Sequence, residues 1–411
     1  MDHKQVVIIG GGPAGLAAAV ALWDKGIRDI LILEREARLG GILNQCIHDG
    51  FGLTRFGHSL SGPEYAQRFI DEVEARAIET VVNCTVINIT NDKTITAVTP
   101  GRLLQIQADA VILTMGCRER PRGALSTPGD RPAGVFTAGV AQSYVNLKNT
   151  MVGKEVVILG SGDIGMIMAR RLTLEGAKVK AVFEIMPYAS GLPRNIEQCL
   201  NDYNIPLFLS HTVTRINGKN RLESVTVSKV DENLKPIAGT EQVWPSDTLV
   251  LSVGLIPENE LTLKAGAVLD PRTKGAIVDE NHQTTVPGIF AAGNVLHVHD
   301  LVDFVSLEAE SLAGSVYTYL EAGLPECEIA VEADSSLGYT LPQYLSGTAD
   351  VTLSFRPRRP IGKCVFEVWQ DGVLIAKKRV PKAIPAEMVH LPIKKAAFVS
   401  KNPVKVVSRV V

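Results

Sequence analysis

One supersecondary unit occurs twice in this sequence, and its two copies lie 150 residues apart at every diagnostic position. In the first copy, residues 5–10 form a continuous apolar run ending in glycine, and Gly10, Gly12 and Gly15 make a GxGxxG loop. Residues 16–25 then read as an alanine-rich helix and 30–34 as a second strand, closed by Glu34, 24 residues after Gly10. In the second copy the strand is 155–160, the glycines are Gly160, Gly162 and Gly165, the helix is 164–175 and the next strand is 178–184. Glu184 closes it, again 24 residues after the first glycine. A strand that runs straight into a glycine loop and a helix calls for α/β layers.

The spacing has a chemical reading. The first glycine permits a tight turn, the second lets the backbone approach a pyrophosphate, and the third lets the helix pack on the strand. The helix start supplies N–H donors and partial positive charge. The acid closing the second strand accepts hydrogen bonds from ribose hydroxyls. A single glycine loop is weak evidence, but here strand, loop, helix and acid recur in order. Two such sites imply two dinucleotides, a flavin held permanently and a nicotinamide that comes and goes. By chain order the first copy also owns Gly116 and the late strand-like piece 288–294 with Gly293 and Asn294. FAD is therefore expected on Gly10, Gly12, Pro13, Ala14, Gly15, Glu34, Arg35, Gly41, Gly116, Gly293, Asn294 and Asp303. The nicotinamide dinucleotide is expected on Gly160, Gly162, Asp163, Gly165, Glu184 and Gly254. A carboxylate at Glu184 favours a free 2′-hydroxyl over a 2′-phosphate, and no arginine follows it before Arg194, so NADH is favoured over NADPH.

Each copy ends alike. Short alternating runs (81–89, 94–99 and 103–106; then 213–216, 222–230 and 241–244) read as β-meanders feeding back to the buried strands 109–116 and 247–254. A helix is expected at 303–322. Beyond 326 the chain alternates in strand fashion, with a hairpin turn at Asp371 and Gly372. The expected fold is two Rossmann-like three-layer α/β domains, the second inserted in the first, plus a C-terminal β-rich domain. The expected boundaries are 1–118 and 251–325 for the FAD domain, 119–149 for a crossover, 150–250 for the nicotinamide domain and 326–411 for a docking tail.

Composition narrows the classes. Of 411 residues 21% are charged, with a net charge of −2, and a dedicated nucleic-acid binder would carry a basic surplus. Apolar residues make up 45%, enough for several buried cores. No secretory signal and no uninterrupted apolar stretch of spanning length are seen. The six cysteines are scattered, which removes clustered zinc, iron–sulfur and CxxC patterns and fits a reducing cytoplasm.

The segments GGGPAG, TMGCRERPR, GSGDIG, SVGLIPEN and GIFAAGN, in that order, resemble the two-dinucleotide flavoprotein reductases of the pyridine nucleotide–disulfide reductase class. GGILNQCIHDGFG and GNVLHVHDLVDFVS are similar to a subgroup linked with flavoprotein oxidases of glycerol-3-phosphate or 2-hydroxyglutarate type. CRERPR with PGDRPAGVFTAGVAQ resembles the reductase-like subunits of hydrogen cyanide synthase and opine dehydrogenase. The resemblance implies hydride transfer between NADH and FAD, with electrons passing to or from a partner flavoprotein subunit in a homo- or hetero-oligomer. Two other readings stand beside it: a stand-alone NADH oxidase or quinone or dye reductase using Cys46, and a non-catalytic subunit with structural dinucleotides. The chain departs from the class in having Cys46 without a nearby second cysteine, and Asn294 where an aspartate is usual. Asn294 still donates and accepts hydrogen bonds, and one fewer negative charge there favours the electron-rich reduced flavin.

In this family the Cys46 loop runs past the flavin ring, so Cys46, tuned by His48, is the candidate thiol, against the plain alternative of a buried small side chain. His297, His299 and Asp300 look metal-like, but a loop leading into a helix is expected and no metal is assigned. Asp303 is expected either at the cofactor or as a cap of that helix, whose positive end would face the reduced ring. The charged run Arg118, Glu119, Arg120 and Arg122 reads as a solvated crossover linker, with a docking patch as the alternative, and the basic tail residues as a solvated β face.

Overall fold

The computed structural model describes residues 2–411, and counts of strands and sites refer to those residues. The chain forms two compact units, one of residues 1–117 and 257–411, the other of residues 118–256.

The first unit is built on a seven-stranded sheet. Its centre is the strand Asp2–Ile9, parallel to Ile30–Leu33 on one side and to Arg102–Leu113 on the other, with Val6 opposite Ile30 and Ala110. Glu79–Val81 extends the parallel edge, and Ile289–Ala291 pairs parallel with the last residues of Arg102–Leu113. The first half of that long strand instead pairs antiparallel with Thr94–Thr99, which pairs with Thr85–Ile89. One sequence therefore serves as both meander and buried parallel strand.

Both sheet faces are covered, which is why the first strand lacks polar alternation. Val6 and Ile8 pack with Ile32, Ile112 and Phe290 under the helices Pro13–Asp24, Gly62–Ala75 and Val302–Ala322. Val7, Ile9, Leu31 and Leu113 pack on the opposite face with Ile95, Val278 and Ile289. Each such fully buried aliphatic contributes about 1.5–3 kcal/mol of transfer free energy, so the strand is fixed by burial on both sides. Gly62–Ala75 begins in a reciprocal cap, in which the Glu64 carboxylate accepts from the Ser61 amide at 2.8 Å.

The second unit holds a five-stranded parallel sheet in the order Leu207–Leu209, Lys178–Glu184, Glu155–Leu159, Thr248–Leu251, Val135–Thr137. Helices Ala138–Lys148 and Asp163–Leu174 cover one face, and the antiparallel strands His211–Asn217, Ser224–Lys229 and Gln242–Pro245 belong to the other. Residues 119–149, expected as a crossover, supply this sheet with an edge strand and a helix, and Leu249 stands opposite Val135. The strand is only three residues long, too short for periodicity to reveal.

The tail carries a five-stranded and a three-stranded sheet around Leu353, Phe355, Phe366 and Val368. Its hairpin turns at Asp371 and Gly372 with φ of 48° and 77°, the paired positive values of a type I′ turn. It does not stand apart from the first unit. Gln343 exchanges backbone and side-chain hydrogen bonds with Val278 and Asp270, and the Ser346 amide donates to Glu280 at 3.0 Å. Among the described residues, no helix is long and apolar enough to cross a membrane.

Candidate dinucleotide sites

In the first unit the strand Asp2–Ile9 ends at Gly10, whose φ of +109° is a left-handed value that favours glycine. A Cβ there would lie 2.5 Å from the Thr114 carbonyl oxygen, and one on Gly15 would lie 1.9 Å from the Gly10 carbonyl oxygen. These two glycines pack the loop against its own strands. Gly12, the N-cap of Pro13–Asp24, is different: nothing lies nearer to its added Cβ than the Gly41 Cα at 4.0 Å. Pro13 sits where its missing N–H costs nothing, and the other first-turn amides have no acceptor within the helix. Gly12 and Gly41 thus leave a cradle beside those donors, and Gly293 closes one side of it, its added Cβ falling 3.0 Å from Ala14 Cβ.

Glu34, 6% exposed, accepts the Gly11 amide on one carboxylate oxygen at 2.7 Å and the Glu36 amide on the other at 2.8 Å. Both oxygens keep lone pairs for a ribose diol. Open cradle, unpaired first-turn amides and a positioned carboxylate fit an adenine dinucleotide such as FAD. Arg35 is exposed beside Glu36, and Gly116 faces open space at φ +70°.

The second unit repeats the arrangement. Gly160 has φ +98°, and its added Cβ would lie 2.0 Å from the Ser252 carbonyl oxygen. Glu184, 4% exposed, accepts the Ser161 amide at 2.9 Å and the Met186 amide at 2.9 Å, as Glu34 does in the first unit. It also accepts the hydroxyls of Ser161 at 2.6 Å and Ser190 at 2.9 Å. The Ser252 hydroxyl takes the Gly165 amide at 3.0 Å. Sequence reading missed these three serines, because a serine carries no spacing signal of its own. Gly254, at φ +103°, faces open space.

Three expected site residues make hydrogen bonds within the protein. Asp163 accepts the Leu192 amide at 2.8 Å and the Asn195 side-chain amide at 2.6 Å, so it ties down the loop after Glu184. Asp303 accepts the amides of Gly52, Thr54 and Arg55 at 3.0, 3.0 and 2.7 Å, and is 2% exposed. It clamps a loop 250 residues away in sequence rather than capping its helix, whose N-cap is Leu301. Asn294 turns to its own loop, its Oδ1 accepting the His299 amide at 3.0 Å.

The candidate thiol is held in its protonated form by its surroundings. Cys46 donates to the Ile42 carbonyl at 3.4 Å, and burial pushes the thiol up to about 12. His48 lies against Phe51, with ring centroids 4.9 Å apart, and its Nδ1 is 3.2 Å from the Asp49 carbonyl oxygen.

A second group of titratable side chains lies behind Gly293, where the helix Val302–Ala322 brings Glu308 to His297 and His299. Burial pushes the His297 imidazole down to about 4, and the neighbouring His299 charge acts in the same direction. Burial alone would raise Glu308, but His299 and His297 hold it well below the usual carboxylate range. Asp300 stands apart from the group, 3.4 Å from the Arg356 guanidinium.

Comparison with known proteins agrees with this geometry. The family model described as pyridine nucleotide-disulphide oxidoreductase matches residues 4–312. The chain is 28% identical over 346 residues to a protein named putative glutamate synthase [NADPH] small chain from Cereibacter sphaeroides, covering 77% of each. It is 27% identical over 321 residues to hydrogen cyanide synthase subunit HcnB from Pseudomonas protegens, covering 70% of this chain and 65% of that one, just under two-thirds of its length. Thioredoxin reductase of T. acidophilum superposes with a TM-score of 0.63 at 25% identity, over 77% of this chain and 99% of that one. The chain therefore belongs to the pyridine nucleotide-disulphide oxidoreductase family and is an FAD-dependent pyridine nucleotide oxidoreductase.

Proposed function

We propose that this protein takes hydride from NADH and exchanges the electrons with a partner flavoprotein dehydrogenase or oxidase subunit. In this reading FAD lies on the first unit, held by Gly10, Gly12, Pro13, Ala14, Gly15, Glu34, Gly41, Gly116 and Gly293. NADH lies on the second, at Gly160, Gly162, Gly165, Glu184 and Gly254. Bound FAD supplies a ring that accepts hydride from a reduced nicotinamide and releases electrons onward. The chain's own contribution is positioning: glycines let the pyrophosphates approach, and the two buried glutamates hold the ribose diols.

The observation that carries this reading is the matched pair of loop-anchored carboxylates, Glu34 and Glu184, each accepting the amide after the first glycine. The coenzyme choice rests on Glu184 and its company. Ser161 and Ser190 give their hydroxyl protons to Glu184, and a 2′-phosphate beside that buried carboxylate would be repelled. A partner is favoured because Cys46 is unsuited to dithiol chemistry, and because relatives such as HcnB are named as subunits. Placement in the cytoplasm rests on six free cysteines.

Steady-state assays with a dye acceptor test the coenzyme. NADH should exceed NADPH by about tenfold or more in kcat/KM, and the reverse order would remove the role given to Glu184. The electron route is tested by turnover with oxygen and quinones, alone and with whatever co-purifies. Fast turnover alone would favour a stand-alone oxidase or quinone reductase.

A further inference from the structure

Glu308 sits at the centre of a buried polar knot unrelated to either glycine loop's own hydrogen bonds. Its Oε1 lies 2.8 Å from His297 Nε2, 3.4 Å from His299 Nε2 and 3.9 Å from His282 Nε2. The side chains of His297, His299 and Glu308 are 2%, 5% and 11% exposed. We propose that His282, His297, His299 and Glu308 form a binding site for a divalent transition-metal ion, zinc by the nature of its donors.

The hydrogen-bond roles argue for a cation. Asn294 Oδ1 accepts the His299 backbone amide at 3.0 Å, which fixes that atom as the oxygen of the side-chain amide. His299 Nδ1 lies 3.3 Å from the same oxygen and must carry the proton that it donates. With the proton on Nδ1, the tautomer that binds a metal offers Nε2, which lies 3.4 Å from Glu308 Oε1. A cation shared by this Nε2 and the Glu308 carboxylate would satisfy both groups. His282 Nε2 stops short of hydrogen-bonding distance from Glu308, at 3.9 Å, and would have to move inward to join the ligands.

The outer contacts are those that orient metal ligands. Glu308 Oε2 accepts the Gly293 amide at 2.7 Å, His297 Nδ1 faces the Tyr339 hydroxyl at 3.4 Å, and His299 Nδ1 faces Asn294. Each points Nε2 or Oε1 inward. The donor atoms of His297, His299 and Glu308 lie within 4.8 Å of one another. Tetrahedral zinc with bonds of about 2.0–2.2 Å sets its donors about 3.3 Å apart, within reach of small side-chain shifts. Two imidazoles and one carboxylate that lie together, with the 18% exposed His282 as a fourth donor nearby, make a donor set suited to zinc. The ion would fasten the turn at 279–284, the loop after Gly293 and the helix Val302–Ala322 to one another. The tail residue Tyr339 braces one ligand from outside. The expectation of no metal from the His297–His299 spacing is thereby revised: the third and fourth donors are distant in sequence, His282 fifteen residues before His297 and Glu308 eleven after it.

The test uses untagged full-length protein carrying its flavin, incubated with zinc chloride, freed of excess by gel filtration and analysed by mass spectrometry for metal. About one zinc per chain should be retained, and a His299→Ala variant should hold at least about tenfold less. Tyr339→Phe, which leaves all four donors in place, should weaken zinc binding by about tenfold with flavin content unchanged. Cobalt(II) in place of zinc should show the visible absorption of a tetrahedral site. Wild-type protein that retains its flavin but holds no more zinc than His299→Ala, or shows no tetrahedral cobalt band, would overturn the proposal and leave His299 as an imidazolium paired with Glu308.

Discussion

Gly12 and Gly15 are three residues apart in one loop, yet an added methyl group does opposite things at each. At Gly15 it would meet the Gly10 carbonyl oxygen at 1.9 Å, so Gly15→Ala must break the packing of helix on strand. The expected outcome is poorly soluble protein or a melting temperature lower by many degrees. At Gly12 the methyl group meets only Gly41 at 4.0 Å. Gly12→Ala should therefore keep its melting temperature as apoprotein and lose flavin affinity by about 1–3 kcal/mol, read from equilibrium dialysis of FAD. Cys46 gives a third residue-scale expectation. With the thiol pushed up to about 12, it stays protonated throughout neutral pH. Iodoacetamide should label its peptide far more slowly than a free thiol at pH 8, and Cys46→Ser should reduce and reoxidise at the wild-type rates. Rapid labelling of Cys46 would restore it as a redox candidate.

The elements owe their positions to carboxylates as much as to apolar faces. Asp303 holds three amides of the 52–55 loop, and Asp303→Ala would strand them in a part-buried place. A loss of about 3 kcal/mol or more is expected in urea denaturation. Asp247 does similar work in the second unit, accepting the Lys154 and Glu155 amides at 2.9 and 3.1 Å where the central strand begins. Burial would raise this carboxyl, but those amides and the Thr248 hydroxyl hold it below its ordinary value. A depressed folded value means that the unfolded chain binds the proton more readily. The stabilisation is present above the unfolded value of 3.8 and is lost as pH falls through the folded one. Acid unfolding of wild type should thus steepen below about pH 4, and Asp247→Asn should lose that part of the steepening. The strands Asp2–Ile9 and Glu155–Leu159 and the glycine loops that follow them were legible in sequence because burial on both faces writes an unbroken apolar run. Val135–Thr137 was not, since a three-residue edge strand has no period to read. The loop-tying bonds of Asp163 and Asp303 were hidden for a related reason: a carboxylate near a helix start looks the same in sequence whether it serves a ligand or a distant loop.

At the scale of the molecule, the tail departs from the sequence reading. Alternating strands after a complete reductase core suggested a separate docking domain, but Gln343, Ser346, Tyr339 and Arg356 bind residues 270–300 directly. Nothing in local periodicity records such long-range partners. Removing residues 326–411 should uncover apolar surface around Val278 and yield aggregated protein, not a soluble reductase core, as judged by gel filtration. The central claim is that one chain carries hydride from a reduced nicotinamide to its own flavin. Anaerobic mixing of FAD-loaded protein with excess NADH in a stopped-flow spectrophotometer tests it most directly. The account predicts loss of the oxidised flavin's visible absorption in a single turnover, with no partner present. Fully loaded protein that keeps its yellow colour with both NADH and NADPH would contradict it.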